Sequence, residues 1–437
     1  MRTSRKDGPR SMPHNVRNWL AASKKRGMEL GLERVFAAHQ ALISTPYDAT
    51  VFHVAGSNGK GTLCATIAAH LQYLGHSTVL FTSPHLIRVE ERVRVDGRPI
   101  DAHRFDGFLA EIQGIETQLG IELTYFEITF LVACLCAQGN DAEYFIVETG
   151  LGGRYDATRI LPADASIITS LSLEHRDVLG DTLPLIAAEK AAIARPQKPL
   201  IVRKTSNNDA IEAIKFEAEH AGRSELNETP APASLQWVEI PENVSVQQEA
   251  LLLAKAVLSR MKINTDQLSG AVNRLNWPGR FQEIPAPWSG SILFDAAHNP
   301  SGLVRLLPQL VQQVKQRPSW SLVFGCTPQH DLIEFCEPLL DLCHQHSPDT
   351  IVLTKPQHGR YPAVSVKDLR ALNWPSSCAI EICENAVESL KFLKQLQPEF
   401  TVAVGSLYLV GELYEALNLW GSEFMELFPA NPQRGEG

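Results

Sequence analysis

No run in this sequence reaches the roughly 18 consecutive apolar residues that would suggest a transmembrane helix. The basic residues Arg2, Arg5, Lys6 and Arg10 have no apolar stretch behind them, so no secretory signal is expected there, and Met1–Pro13 is expected to be a short disordered extension. Positive charge is not in excess either. Forty Lys and Arg against 49 Asp and Glu leave a formal charge of −9, which builds in no general attraction to nucleic acid or to an anionic membrane surface. None of the eight cysteines forms a CxxC pair, so Cys336, Cys343, His344 and His346 lack the usual zinc-site spacing. Their scatter, with Cys64, Cys134 and Cys136 inside apolar segments, fits a reduced, cytoplasmic protein. No repeat of fixed period stands out, which disfavours a solenoid.

What is present is ordinary for a globular protein: 44% hydrophobic and 20% charged residues over 437 positions, enough for two or three domains with real cores. Short β-branched or aromatic runs alternate with helical patterns. Val51–Ala55, Thr78–Thr82, Tyr144–Val147, Ser166–Thr169 and Pro199–Val202 read as buried strands, with helices over Thr62–Leu74, Phe126–Ala137 and Leu183–Ala194 between them. Such alternation predicts βαβ units around a parallel sheet. Lys204–Gln247 is polar, and proline-rich at Asn227–Ser234, which predicts insertions and surface connections. A second series follows, with strands over Ser291–Asp295, Ser321–Phe324, Thr350–Thr354, Ala379–Ile382 and Thr401–Val404 and helices such as Leu332–Cys343 and Ala386–Leu396. The expected division is a domain over residues 1–285 and a second over 286–437.

The strongest local signal is Gly56-Ser57-Asn58-Gly59-Lys60-Gly61-Thr62, directly after the first strand and before an apolar helical pattern. Strand, glycine-rich turn, lysine, hydroxyl and helix make the context of a phosphate-binding loop. Glycines let backbone amides face phosphate oxygens, and the helix N-terminus adds positive potential. Lys60 would neutralise β/γ-phosphate charge, and Thr62 would bind Mg²⁺ or a phosphate. The spacing is shorter than in the usual loop and Gly61 separates lysine from threonine; a tight turn with an exposed lysine is the plainer alternative. Glu148 stands at the end of an apolar strand, where α/β sheets place ligand-binding groups, or else caps the following glycine turn.

This variant loop resembles that of the Mur ligase superfamily and, more closely, that of the folylpolyglutamate synthase/dihydrofolate synthase family. The resemblance runs in order through Gly31–Arg34, His53–Thr62, Thr82–Leu86, Glu91–Val95, Thr124–Glu127, Glu148–Thr158, His175, Leu179–Gly180, Glu189–Ala191, Pro278–Phe281, Asp295–Pro300 and Gly405–Tyr408. It implies an α/β protein with an N-terminal P-loop ATPase domain and a C-terminal Rossmann-like domain. It also implies a reaction: ATP phosphorylates a pterin carboxylate, of dihydropteroate, a folate or both, and the amine of L-glutamate attacks the acyl phosphate. Two anions meet in that step, so a lysine and divalent cations must screen their repulsion.

By the same resemblance Ser83, Glu148 and His175 ligate Mg²⁺, with two ions expected, and Lys190 is carbamylated to assist the second. Lys60, Lys190 and His175 are then the catalytic set. Gly56 to Thr62, Arg280 and Asp295 hold the nucleotide, with His298 and Asn299 following in the loop. Leu32, Glu33, Arg34, Thr124, Tyr125, Phe126, Glu127, Tyr155, Asp156 and Ala157 take the pterin side. An aromatic pterin needs stacking surface and edge hydrogen bonds, which Tyr125, Phe126 and Asp156 could supply, although Phe126 could equally be core. The partners implied are small molecules only, and the expected state is a monomer. Four positions depart from the family pattern: Glu174 for aspartate before His175, Gln248 for an asparagine at the nucleotide, Arg159 for asparagine, and His330 for a lysine. Two other readings stay open, a Mur-type ligase for a different acid and a nucleotide-binding relative without catalysis.

Overall fold

A computed structural model describes residues 13–428, except 28, 30, 140, 141, 224–228, 360 and 361. The basic extension before Pro13 and the start of the proline-rich Asn227–Ser234 stretch lie outside the described residues. Two sheets organise the rest. The N-terminal sheet is built from β1 (Thr50–Ala55), β2 (Thr78–Phe81), β3 (Val93–Val95), β4 (Arg98–Pro99), β5 (Tyr144–Glu148), β6 (Ala165–Ile168), β7 (Pro199–Arg203) and β8 (Ser234–Val238). Its order is β4-β3-β2-β5-β1-β6-β7-β8, parallel from β2 to β8 and antiparallel at the β3–β4 edge. The C-terminal sheet contains β9 (Arg280–Pro285), β10 (Ser291–Asp295), β11 (Ser321–Phe324), β12 (Thr350–Leu353), β13 (Ala379–Ile382) and β14 (Phe400–Val404), in the order β13-β12-β11-β14-β10-β9.

The central strands are apolar on both faces because helices cover both faces. Phe52, Val54, Phe145, Ile146 and Val147 are all buried. The helix Tyr125–Gly139 is buried nearly all round and packs Phe126 and Phe130 on Phe81, each pair of ring centroids 5.7 Å apart. Truncating a ring such as Phe130 to alanine would cost about 3–5 kcal/mol.

Two expectations are revised. The polar stretch Lys204–Gln247 is more than a connection. It carries an amphipathic helix, Asn208–Glu219, burying Ala210, Ile214 and Ala218, and the edge strand β8, half-exposed throughout and hence without an apolar run. The turn at Trp277–Phe281 leads straight into β9, which pairs antiparallel with β10, so the boundary between the sheets falls before Arg280. The segment at Leu427 also returns to the first domain, where its N–H donates to Gly97 O at 3.1 Å and the Asn276 N–H donates to Leu427 O at 2.9 Å.

Candidate active site

The phosphate loop joins β1 to the helix Lys60–Tyr73, which starts at Lys60 because Gly59 before it is left-handed, with φ 85°. Gly56, with φ 145°, lies so close to Thr169 that a Cβ would run into its hydroxyl oxygen. That hydroxyl donates to Asn58 O at 2.8 Å, so the loop is held from the residue that follows β6. Lys60 Nζ donates to Gly56 O at 3.1 Å and to Ser57 O at 3.4 Å, folding the cation over the loop crown where phosphate charge would sit.

Glu148 ends β5 beside the loop. Its Oε2 accepts from the Ser83 N–H at 2.9 Å and lies 3.4 Å from where a Cβ on Gly61 would be. Burial pushes its pKa up, against the pull of Lys60, the Ser83 N–H and the guanidinium groups of Arg280 and Arg92. A buried carboxylate kept among cations, with lone pairs to spare, is a hard oxygen donor suited to Mg²⁺. Among the described residues no three His, Cys, Asp or Glu are grouped to cage a metal.

Lys190 lies on the helix Leu183–Ala191 with 1% of its side chain exposed; its Nζ donates to Gly56 O at 3.0 Å and to Glu174 Oε1 at 2.8 Å. Desolvation pushes its pKa down, opposed by Glu174. Burial alone would raise Glu174, but Lys190 and Lys60 hold it below the usual carboxylate value. The longer arm of Glu174 is thus what reaches Lys190. His175 is exposed, with φ 45° at the start of the helix Arg176–Leu179.

The C-terminal domain closes the far side. Asp295 ends β10, where its carboxylate accepts from the N–H groups of Phe281 and Ala297, each at 2.9 Å. Burial raises its pKa against the pull of Arg280. Those bonds fix the turn that carries Arg280 toward Glu148. Asn299 caps the helix Pro300–Lys315, and with Ser301 it meets Asn58: Asn58 Nδ2 donates to Ser301 Oγ at 2.6 Å, and Asn299 Nδ2 donates to Asn58 Oδ1 at 3.2 Å. Gln248 is taken up elsewhere, in a capping box with Ser245 at 3.0 Å each way. Its neighbour Gln247 faces the site instead, donating to Arg280 O at 3.5 Å, with its own Oε1 buried and unpartnered. His330 is exposed, while Arg159 is buried, its Nε donating to Ala192 O at 2.8 Å.

Next to Ser83 opens a cavity of about 1320 Å³ between the domains. It is lined by Thr124, Tyr125, Phe126, Glu127, Tyr155, Asp156 and Ala157 from the first domain and by His358, Tyr408 and Glu412 from the second. Phe126 rests on the turn after Glu148, where a Cβ at Gly150 would stand 2.6 Å from its ring. Glu127 accepts from the Thr124 N–H at 2.7 Å and pairs with Arg34 at 3.4 Å. Asp156 Oδ2 accepts from the N–H groups of Gly150 and Leu151, each at 2.8 Å, and Oδ1 accepts from the Thr158 N–H at 3.0 Å and the Thr158 hydroxyl. Its four acceptor positions thus hold the turn that frames the cavity. Leu32 is buried in the core, Glu33 is exposed, and neither they nor Arg34 line the cavity, although Glu29 and Gly31 do.

Arg92 and His85 belong to this wall and carried no role in the sequence reading, although both lie in strings it singled out. Arg92 is buried, its guanidinium 5.0 Å from the centre of the Tyr125 ring, and its Nε donates to His85 Nδ1 at 2.9 Å. Cys336 and Cys343 are free thiols packed in the second core, and His344 Nε2 bonds Asn373 O at 2.8 Å, so that cluster is structural.

A phosphate cradle that opens through one buried carboxylate onto a large interdomain cavity is the layout of an enzyme that moves a phosphoryl group onto a second substrate. No family model matches the chain. It is 32% identical over 310 residues to the dihydrofolate synthase/folylpolyglutamate synthase of Escherichia coli (strain K12), covering 67% of this chain and 72% of that protein. To the dihydrofolate synthetase of Saccharomyces cerevisiae it is 27% identical over 427 residues, covering 90% of this chain and 98% of that one. Its fold matches E. coli FolC in complex with DHPP and ADP at TM-score 0.75, with 26% identity over 92% of this chain and 98% of that chain. It matches a bifunctional folylpolyglutamate synthase/dihydrofolate synthase with Mn, AMPPNP and L-glutamate bound at TM-score 0.76, with the same identity and coverage. The chain belongs to the dihydrofolate synthase/folylpolyglutamate synthase family, ATP-dependent ligases that join glutamate to a pterin acid.

Proposed function

We propose that this chain binds ATP on the Gly56–Thr62 loop and the acceptor acid in the interdomain cavity, and that the two meet at Glu148. The observation that carries the reading is the position of that carboxylate, bonded to the N–H of cavity residue Ser83 and adjacent to Gly61 of the loop. The acceptor carboxylate attacks the γ-phosphorus and ADP leaves; the glutamate amine then attacks the acyl carbon, sheds a proton, and phosphate departs. Lys60 balances charge on the transferring group, and Arg280 presents a planar cation from the second domain. Tyr125 and Phe126 offer the pterin ring a face, with Thr124, Glu127, Tyr155 and Ala157 along its rim.

Ser83, Glu148 and His175 would hold magnesium, which supplies charge neutralisation between the two anions. We extend this to two ions and to carbamylation of Lys190. Burial supports the latter by lowering the lysine pKa, since only the neutral amine reacts with CO₂. Intact-mass measurement in bicarbonate tests it: a CO₂ increment lost in Lys190→Ala is expected, and its absence removes the modification. Eight free cysteines suit a reducing cytoplasm, and a monomer is the expected state. No helix among the described residues is long and apolar enough to cross a membrane.

The direct test incubates the protein with ATP, Mg²⁺, glutamate and either dihydropteroate or tetrahydrofolate. A glutamyl amide from at least one acceptor is expected. Nucleotide binding without product from either would mean a relative that binds but does not ligate, and product from an unrelated acid alone would displace the pterin assignment.

A further inference from the structure

An arginine outside the motifs that mark the site crosses the domain boundary to a residue that holds the phosphate loop. Arg305 lies on the helix Pro300–Lys315 of the C-terminal domain. Its Nη1 donates to Ser170 Oγ at 2.9 Å, and its Nη2 lies 2.6 Å from Glu249 Oε2. Ser170 in turn brackets one peptide of the loop: the Asn58 N–H donates to its Oγ at 3.3 Å, and the same hydroxyl donates to Asn58 O at 3.1 Å. One guanidinium thus steadies the loop crown through Ser170 and ties the domains together through Glu249.

The second half of this arrangement is reversible by construction. Glu249 is buried, with 4% of its side chain exposed, and a buried carboxylate stripped of its only cation is costly. Here it has a second one, because Arg203 of the N-terminal domain pairs with the same Oε2 at 2.9 Å. If the domains part, Arg305 moves into water while Arg203 keeps Glu249 compensated. A planar fork that donates to a hydroxyl while its other arm pairs by charge with a carboxylate is a task for arginine, which an ammonium does not duplicate.

We propose that Arg305 is a positioning residue for phosphoryl transfer. Delivered by domain closure, it holds the phosphate loop in its ATP-binding form through Ser170 and latches the closed state through Glu249. The proposal deepens the assignment of ATP to this loop and rests on that reading.

Arg305→Ala and Arg305→Lys are compared with Ser170→Ala by steady-state kinetics, X-ray scattering with a non-hydrolysable ATP analogue and Mg²⁺, and amide exchange over residues 56–62. Arg305→Ala should lower kcat/KM for ATP at least tenfold, abolish the compaction caused by the analogue and speed exchange of the loop amides, with an unchanged melting temperature. Arg305→Lys, which keeps the charge, should recover compaction but not loop protection. Ser170→Ala should lose loop protection and raise KM for ATP while compaction persists. Wild-type kinetics, compaction and loop exchange in Arg305→Ala would overturn the proposal, as would equal losses in all three variants with a fallen melting temperature. If the wild type made no amide product, the scattering and exchange arms would still decide the latch, because they need only nucleotide. If the wild type bound no nucleotide, the parent reading would fail first.

Discussion

The phosphate end and the acceptor end of this site are built differently. At the phosphate end the loop is tied down by side chains: Thr169, Ser170 and Ser301 hold Asn58, and the carbonyls of Gly56 and Ser57 receive Lys60. The acceptor cavity is wide, shared between two domains and walled by rings and long side chains. Phosphoryl transfer gains from donors fixed in advance, since reorganising them would add to the barrier. An acceptor with an aromatic body and a variable tail needs area and room more than fixed bonds.

The largest blow to that contrast should come from Lys60→Ala, which leaves the repulsion between γ-phosphate and carboxylate unscreened. A fall in kcat of roughly a thousandfold or more is expected, with pterin binding retained in a titration. Near-normal turnover would show that the rigid end does not depend on its cation. Glu148→Gln should separate function from stability. It should raise the Mg²⁺ needed for half-maximal rate severalfold, or stop turnover. Because burial raises the folded pKa of Glu148, the ionised group costs the ligand-free fold stability above the ordinary carboxylate range. The variant should therefore melt higher than wild type at neutral pH, and the gap should close as the pH falls below that range. A gap that widens on acidification would reverse the assigned cause.

Asp156→Ala probes the frame of the acceptor end. Orphaning the Gly150, Leu151 and Thr158 donors should cost about 2 kcal/mol, read by denaturant titration; an unchanged midpoint would mean the turn holds itself. The smallest effect is expected from Tyr125→Ala, which removes an aromatic face and its cation–π partner. KM for the pterin acceptor should rise about tenfold, or ~1.4 kcal/mol, with KM for ATP unmoved. An equal rise in both would show that the two ends are not separable.

The central strands were legible because burial on both faces leaves unbroken runs such as Val-Phe-His-Val-Ala before Gly56. The edge strands β8 and β9 were not, since both are half-exposed and one follows a turn that reads as a boundary, whereas the edge strand β13 was read from its Ala-Ile-Glu-Ile run. The phosphate loop could be read because its glycines, lysine and hydroxyl stand together within seven residues, although the side chains that hold it, Thr169, Ser170 and Ser301, come from far along the chain. Arg305 could not, as its partner Ser170 is 135 residues away and no spacing rule connects them. Gln247 and Gln248 show a finer limit. Two identical side chains stand side by side, and only the helix start at Ser245 decides which one caps and which faces Arg280.

If the acceptor and the metal sit as proposed, the Phe126 ring seated on Gly150 ties the one to the other. Gly150 lies two residues past Glu148, so a methyl group there would have to tilt the aromatic plate into the space meant for the guest or push the strand end away from its cation. On the proposed assignment of the acceptor to this chamber and of the metal to Glu148, a single hydrogen atom would set both the headroom of the one and the reach of the other.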